Sequence, residues 1–247
     1  MATCCPPGSL PKLVSDHKQK GTDIDLPGTD LKLYVVGSGD KVILHFYDIW
    51  GLNGGRTRFL CDKLSEQGYK VVIPDFYRGK SWDDSPLEPE KVGKFASQFP
   101  PEMVVKDAEA VVKYLQEGGA KKFGATASCW GAWALFTCCA HQLPLSACVS
   151  YHPALGLAAV FGSTAVELAS KVKTAQCLFP AGNDPPDVKP GGEVIKTLEA
   201  NGVAVECKEY AEVQHGFMPR GDLSDPKVVS ACEEAEKLTY EFFSKHL

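Results

Sequence analysis

Short runs of β-branched and apolar residues alternate along the chain with longer stretches whose apolar positions recur at the helical period. The runs over 31–37, 41–48, 69–76, 121–128, 146–152, 175–182 and 203–210 are mostly apolar throughout, as strands buried on both faces are. Helical patterns fill the gaps over 56–68, 102–119, 130–142, 164–172, 191–202 and 225–247, several closing on a glycine such as Gly68, Gly118 or Gly202. Such alternation predicts an α/β domain with a mostly parallel central sheet and helices on both faces. The turn Ser38-Gly39-Asp40 between the first two strands predicts a hairpin. No repeat and no compositional break divides the chain, so residues 1–25 are read as an irregular lead-in and 26–247 as a single domain. The Pro-containing stretch 80–101 lacks a clear period and is read either as a lid beside a site or as a plain surface excursion.

Composition narrows the function classes. With 247 residues, 44% hydrophobic and 23% charged, the chain has the make-up of an ordinary soluble globular protein. A net charge of −5 without a basic stripe gives a nucleic-acid partner no electrostatic footing. No apolar run is long enough to predict a membrane span, and the N-terminus has no basic patch leading into an apolar stretch, so a cytoplasmic location is expected. Ten cysteines are present, but no Cys-x-x-Cys pair, which removes the main support for zinc or thioredoxin-type motifs. Cys61, Cys138, Cys139, Cys148, Cys177 and Cys207 lie among apolar residues, where a reduced thiol acts as a small hydrophobe. Cys4 and Cys5 are read as part of a flexible lead, and no metal or organic cofactor is expected.

One cysteine is placed differently. The strand ending at Ser128 runs straight into the helix opened by Trp130, with Cys129 between them in the segment Ala127-Ser128-Cys129-Trp130-Gly131. A nucleophile on a sharp strand-to-helix turn needs small residues two before and two after it, and Ala127 and Gly131 satisfy that need. The helix N-terminus favours a thiolate, and the N–H of Trp130 is aimed at a developing oxyanion. Taken alone, the segment is equally a buried cysteine at a strand end. A nucleophile of this type requires a base and an orienting carboxylate, arriving later in the order acid, histidine. Asp184 follows the strand over 175–182, and His215 follows that over 203–210, in a loop. Asp187 competes with Asp184 for the acid position.

From about Asp23 onward the chain resembles the dienelactone hydrolase family of the α/β-hydrolase fold. The likeness rests on Tyr47-Asp48-Ile49-Trp50-Gly51-Leu52, Pro74-Asp75-Phe76-Tyr77-Arg78-Gly79, the Cys129 turn and His215-Gly216-Phe217. That resemblance implies a Cys129-His215-Asp184 triad acting on lactones and related esters, with an oxyanion hole from the N–H groups of Ile49 and Trp130. It also implies an acidic contact to the resting thiol from Asp48, where bacterial members carry Glu, and a substrate carboxylate held by Arg78. Arg220 lies one residue from the position of a second such arginine. At position 127 Ala stands where the family usually has Gly. His152, after the strand over 146–152, falls at the same sheet edge and is read as lining the pocket or supporting it.

The reading is therefore a hydrolase of a small ester or lactone working through a thioacyl-enzyme. Two rivals stand beside it: a thioesterase or acyltransferase, and a hydrolase-fold protein that binds a metabolite or protein without turnover. Oligomeric state and the natural substrate are not legible at this level.

Overall fold

The computed structural model describes residues 5–83 and 86–247; Cys4 and the Asp84-Ser85 part of the 80–101 stretch lie outside the described residues. Eight strands form one sheet: β1 Thr22–Asp25, β2 Lys32–Val36, β3 Lys41–Phe46, β4 Lys70–Pro74, β5 Lys122–Ser128, β6 Ala147–Tyr151, β7 Ala175–Phe179 and β8 Val205–Cys207. Their spatial order is β1-β2-β4-β3-β5-β6-β7-β8, with β1 and β2 antiparallel to their neighbours and β4 through β8 parallel. The seven expected strands are present. The expected hairpin is not: β2 pairs antiparallel with β4, with Leu33 opposite Pro74, and β4 lies between β2 and β3. Gly37 and Gly39, at φ 73° and 122°, let the chain turn sharply out of β2, so a short connection here serves a jump across one strand. Strand β1 was not anticipated either; it falls in what reads as an irregular lead-in and forms the sheet edge.

The helices follow the expected alternation. They are α1 Thr57–Ser65, α2 Pro89–Ala96, α3 Pro101–Glu117, α4 Trp130–Ala140, α5 Ala165–Ala169, α6 Glu193–Ala200, α7 Phe217–Arg220 and α8 Pro226–His246. Helix α2 gives regular structure to part of the stretch that had no period. Helix α3 packs on α4, α4 on α5 and α5 on α6, while α1 and α8 form a second group tied by Lys63 and Glu236. Helix α4 is buried from Trp130 through Cys139, which is why its sequence is apolar on every side. It packs against β3 and β5, the two central strands whose carboxyl ends carry Asp48 and Cys129. Ligands of open α/β sheets bind outside the carboxyl ends of the strands, and the candidate residues gather there.

Candidate active site

Cys129 occupies the junction between β5 and α4 with φ 53° and ψ −115°, a conformation that a residue with a side chain adopts only under constraint. The constraint is close packing. A Cβ at Gly131 would lie 2.1 Å from the carbonyl oxygen of Phe46, so only glycine lets α4 begin this close to the end of β3. The Cys129 amide donates to the carbonyl of Tyr151 at 3.2 Å, and the Cys129 carbonyl accepts from Ala154, fastening the turn to the end of β6.

His215 and Asp184 arrive from the next two strand ends. Nδ1 of His215 stands 2.5 Å from Oδ1 of Asp184, and both side chains are fully buried. The other Asp184 oxygen accepts the Ala181 N–H at 2.7 Å, and the His215 N–H donates to the Asn183 side chain at 2.6 Å. These backbone bonds fix the two partners independently of each other. Asp187, half-buried, is not the carboxylate at His215; burial raises its own carboxyl above the usual range. Burial drives His215 toward its neutral form, but the charge of Cys129 and then that of Asp184 outweigh it and hold the imidazole at about 10. His152, φ 37° and fully buried, packs its ring edge-on to His215 with centroids 4.7 Å apart. Burial and the nearby His215 and Arg220 charges push His152 well below its ordinary value, so it contacts His215 as a neutral ring.

Asp48 and Arg220 form a fully buried ion pair. Asp48 also accepts the Trp50 N–H at 2.9 Å, which holds the loop carrying Ile49, and the Arg220 guanidinium lies 4.2 Å from the centre of the Trp50 ring. Burial raises the Asp48 carboxyl; Arg220 pulls it back and the Cys129 charge adds to the rise, so Asp48 senses the thiol while bound to arginine. Arg78 is elsewhere. Its guanidinium is engaged by Asp107 and by Asp30, and it lines a surface hollow with Asp75, Asn53 and Arg58. Neither Cys129 nor His215 lines that hollow.

Residues 5–17 supply what the sequence did not announce. This segment has no regular secondary structure, yet it straps across the strand ends. Leu10 donates its N–H to the His215 carbonyl at 2.9 Å and accepts Nε of Arg220 at 3.1 Å. Asn183 donates to Pro7, Gly55 donates to Leu13, and His17 meets Asp62 at 2.8 Å. Cys5, at the start of the strap, is buried with its sulfur 3.6 Å from that of Cys129. With the strap in place Cys129 and His215 have no exposed surface. A groove of about 620 Å³, within the roughly 300–1,000 Å³ of small-molecule sites, lies beside the strap, walled by Pro6, Pro7, Lys12, Trp50, Pro86 and Leu87.

The family model for the dienelactone hydrolase family matches residues 33–247. The chain belongs to the dienelactone hydrolase family. Membership makes it a hydrolase of carboxylic esters or lactones. A protein of Aquifex aeolicus, provisionally named a carboxymethylenebutenolidase, is 32% identical over 218 residues, covering 83% of this chain and 88% of its own. An AIM2 family protein of Schizosaccharomyces pombe is 27% identical over 258 residues, 98% of each chain. A crystal structure from Klebsiella pneumoniae, provisionally titled a dienelactone hydrolase, superposes with a TM-score of 0.73 at 18% identity over 93% of this chain and all of its own, a likeness of fold. Among the described residues of this family member, no helix is long and apolar enough to cross a membrane.

Proposed function

We propose that this dienelactone hydrolase family member cleaves a small ester or lactone through Cys129, with His215 as base and acid and Asp184 fixing its tautomer. The observation that carries the reading is His215: fully buried, bound through Nδ1 to Asp184, and with a ring nitrogen within 4.8 Å of the Cys129 sulfur. The thiolate attacks the carbonyl carbon, the C–O bond breaks, and the alkoxide leaves with the proton from the His215 imidazolium. Neutral His215 then takes a proton from water as it attacks the thioester, the C–S bond breaks and the thiolate returns. The N–H groups of Ile49 and Trp130 serve as the oxyanion donors.

Asp48 and Arg220 act in this reading as positioning residues. They brace the Ile49 loop through Trp50 and set the field in which Cys129 ionises. For Arg78 the role proposed is at the rim, contacting a carboxylate-bearing substrate only if it exchanges Asp30 for that carboxylate. Substrate enters from the groove beside the strap, which requires residues 5–13 to lift.

The experiment pairs a nitrophenyl ester assay with intact-mass detection of the acyl-enzyme. Cys129→Ala abolishes turnover and the acyl adduct. Asp184→Asn loses about 10⁴ in kcat, the order seen when a triad acid becomes an amide, while Asp187→Asn stays close to wild type. Undiminished hydrolysis by Cys129→Ala would refute the mechanism.

A further inference from the structure

Among the described residues two cysteine pairs have sulfurs 3.6 Å apart, and they differ in their surroundings and in the freedom of the backbone that carries them. Cys139 and Cys148 face each other between α4 and β6 in the core. Burial pushes the Cys148 thiol well up, and the groups acting on it are Cys139, Gln176 and Cys138, none of them a base. Both residues ride on packed elements that resist approach. Cys5 and Cys129 are the other pair. Here the Cys5 sulfur belongs to a strap outside any helix or strand, and the Cys129 sulfur is charge-coupled to His215. The atoms of Cys5, Cys129 and His215 lie within 4.8 Å of one another.

We infer that Cys5 and Cys129 form a reversible disulfide when the protein meets a hydroperoxide, so that the N-terminal strap becomes a covalent cap on the reactive thiol. The inference rests on the proposed reactivity of Cys129. In the first step the Cys129 thiolate attacks one peroxide oxygen; the S–O bond forms, the O–O bond breaks, and the departing alkoxide or hydroxide takes the His215 proton. This leaves a sulfenic acid on Cys129 and releases one alcohol or water. In the second step the sulfur of Cys5 attacks that of Cys129; the S–S bond forms, the S–O bond breaks, and hydroxide leaves as water with the Cys5 proton. The two thiols supply two electrons, and the hydroperoxide accepts both.

The geometry favours the second step. A disulfide is about 2.05 Å long, so the sulfurs must close by roughly 1.5 Å from their 3.6 Å separation. That movement falls on the strap, whose nearest anchors are Pro7 and Leu10. A resolving cysteine already in contact intercepts the sulfenic acid before a second peroxide converts it irreversibly to sulfinic acid. Cys5 therefore protects the nucleophile while switching it off.

The test uses the reduced full-length protein in chelator-containing buffer, treated with hydrogen peroxide. Two readouts are followed: peptide mass mapping without reduction, and hydrolysis of a nitrophenyl ester before and after dithiothreitol. The expected result is a Cys5–Cys129 peptide lighter by two hydrogens, with activity lost and then mostly restored by the thiol. In Cys5→Ala, normalised to its own untreated rate, the recoverable share falls several-fold and Cys129 accumulates as the sulfinic acid. Full inactivation without the bridged peptide, a bridge from Cys4 in place of Cys5, or equal recovery in Cys5→Ala would overturn the inference. So would a loss in chelator-free buffer that a chelator reverses and a thiol does not, since that assigns the cluster to a metal ion. Mapping in the wild-type protein needs neither a variant nor turnover. Failure to bridge is thus distinct from failure of the nucleophile reading, which shows as hydrolysis surviving Cys129→Ala.

Discussion

Replacing Arg220 with methionine keeps much of the unbranched stem and removes the guanidinium and its charge, leaving Asp48 as a buried carboxylate whose Arg220 partner is gone. Loss of one member of a buried pair costs about 3–5 kcal/mol, because the remaining ion is desolvated without compensation. In a chain of this size 1 kcal/mol moves Tm by roughly 2–4 °C, so the expected fall is about 6–20 °C. Two further contacts go with it: the hydrogen bond to Leu10 and the stacking on Trp50. The double variant Asp48→Asn/Arg220→Met removes the orphaned charge while leaving an amide oxygen to accept the Trp50 N–H. It should lie well above Arg220→Met in stability, giving a coupling energy of opposite sign to the single losses. Scanning calorimetry and urea melts of wild type, both single variants and the double variant measure all four corners. An Arg220→Met loss below about 1 kcal/mol, or a double loss equal to the sum of the singles, would show that Asp48 is not held as a desolvated anion by Arg220.

Three other outcomes follow from the same geometry. Gly131→Ala forces a methyl against the Phe46 carbonyl and should cost about 3 kcal/mol or more, the upper end of overpacking, together with most ester hydrolysis; a neutral result in thermal melts would contradict the close approach of α4 to β3. NMR titration of His215 should give a midpoint near 10 in the wild type and one lowered by more than a unit in Cys129→Ala, where burial no longer meets the thiolate charge. Because this folded value lies above the unfolded value of about 6.5, the histidine's contribution to stability is fully present below pH 6.5 and is lost as pH rises toward 10. Deleting residues 2–13 removes the four hydrogen bonds described above between Pro7, Leu10 and Leu13 of the strap and Asn183, His215, Arg220 and Gly55. At roughly 0.5–1.5 kcal/mol each they exceed the 1.4 kcal/mol of one decade, so iodoacetamide should label Cys129 at least about tenfold faster; an unchanged rate would mean the strap does not close the site.

The central strands were legible because burial on both faces leaves no polar period in β3, β5, β6 or β7. The Cys129 turn was legible for a local reason: a small residue at 127 and a glycine at 131 are a steric requirement written within five positions. His215 and Asp184 could be placed at strand ends but not joined, since either Asp184 or Asp187 satisfies the spacing and only the loop after β7 decides. The pairing of β2 was misjudged because turn length reports how far the chain must travel, whereas strand order is set by partners distant in sequence, such as Leu33 and Pro74. The pairing of Arg220 with Asp48 and the strap were hidden for the same reason. Pro6 through Pro11 carries no period, and what holds it is a set of single contacts to residues about two hundred positions away.

That separation bears on the order in which the molecule assembles. The strap is synthesised well before the residues that hold it, since the carbonyl that accepts from Leu10 and the guanidinium that donates to it belong to residues 215 and 220. Contacts of this span pay the largest loop-closure entropy and form late. Being few and peripheral to the sheet, they are also among the first to open below the global unfolding threshold. The thiol at the β5–α4 turn is therefore uncovered both before folding is complete and in brief excursions of the finished protein, and under the mechanism proposed above the frequency of those excursions sets an upper limit on the turnover rate.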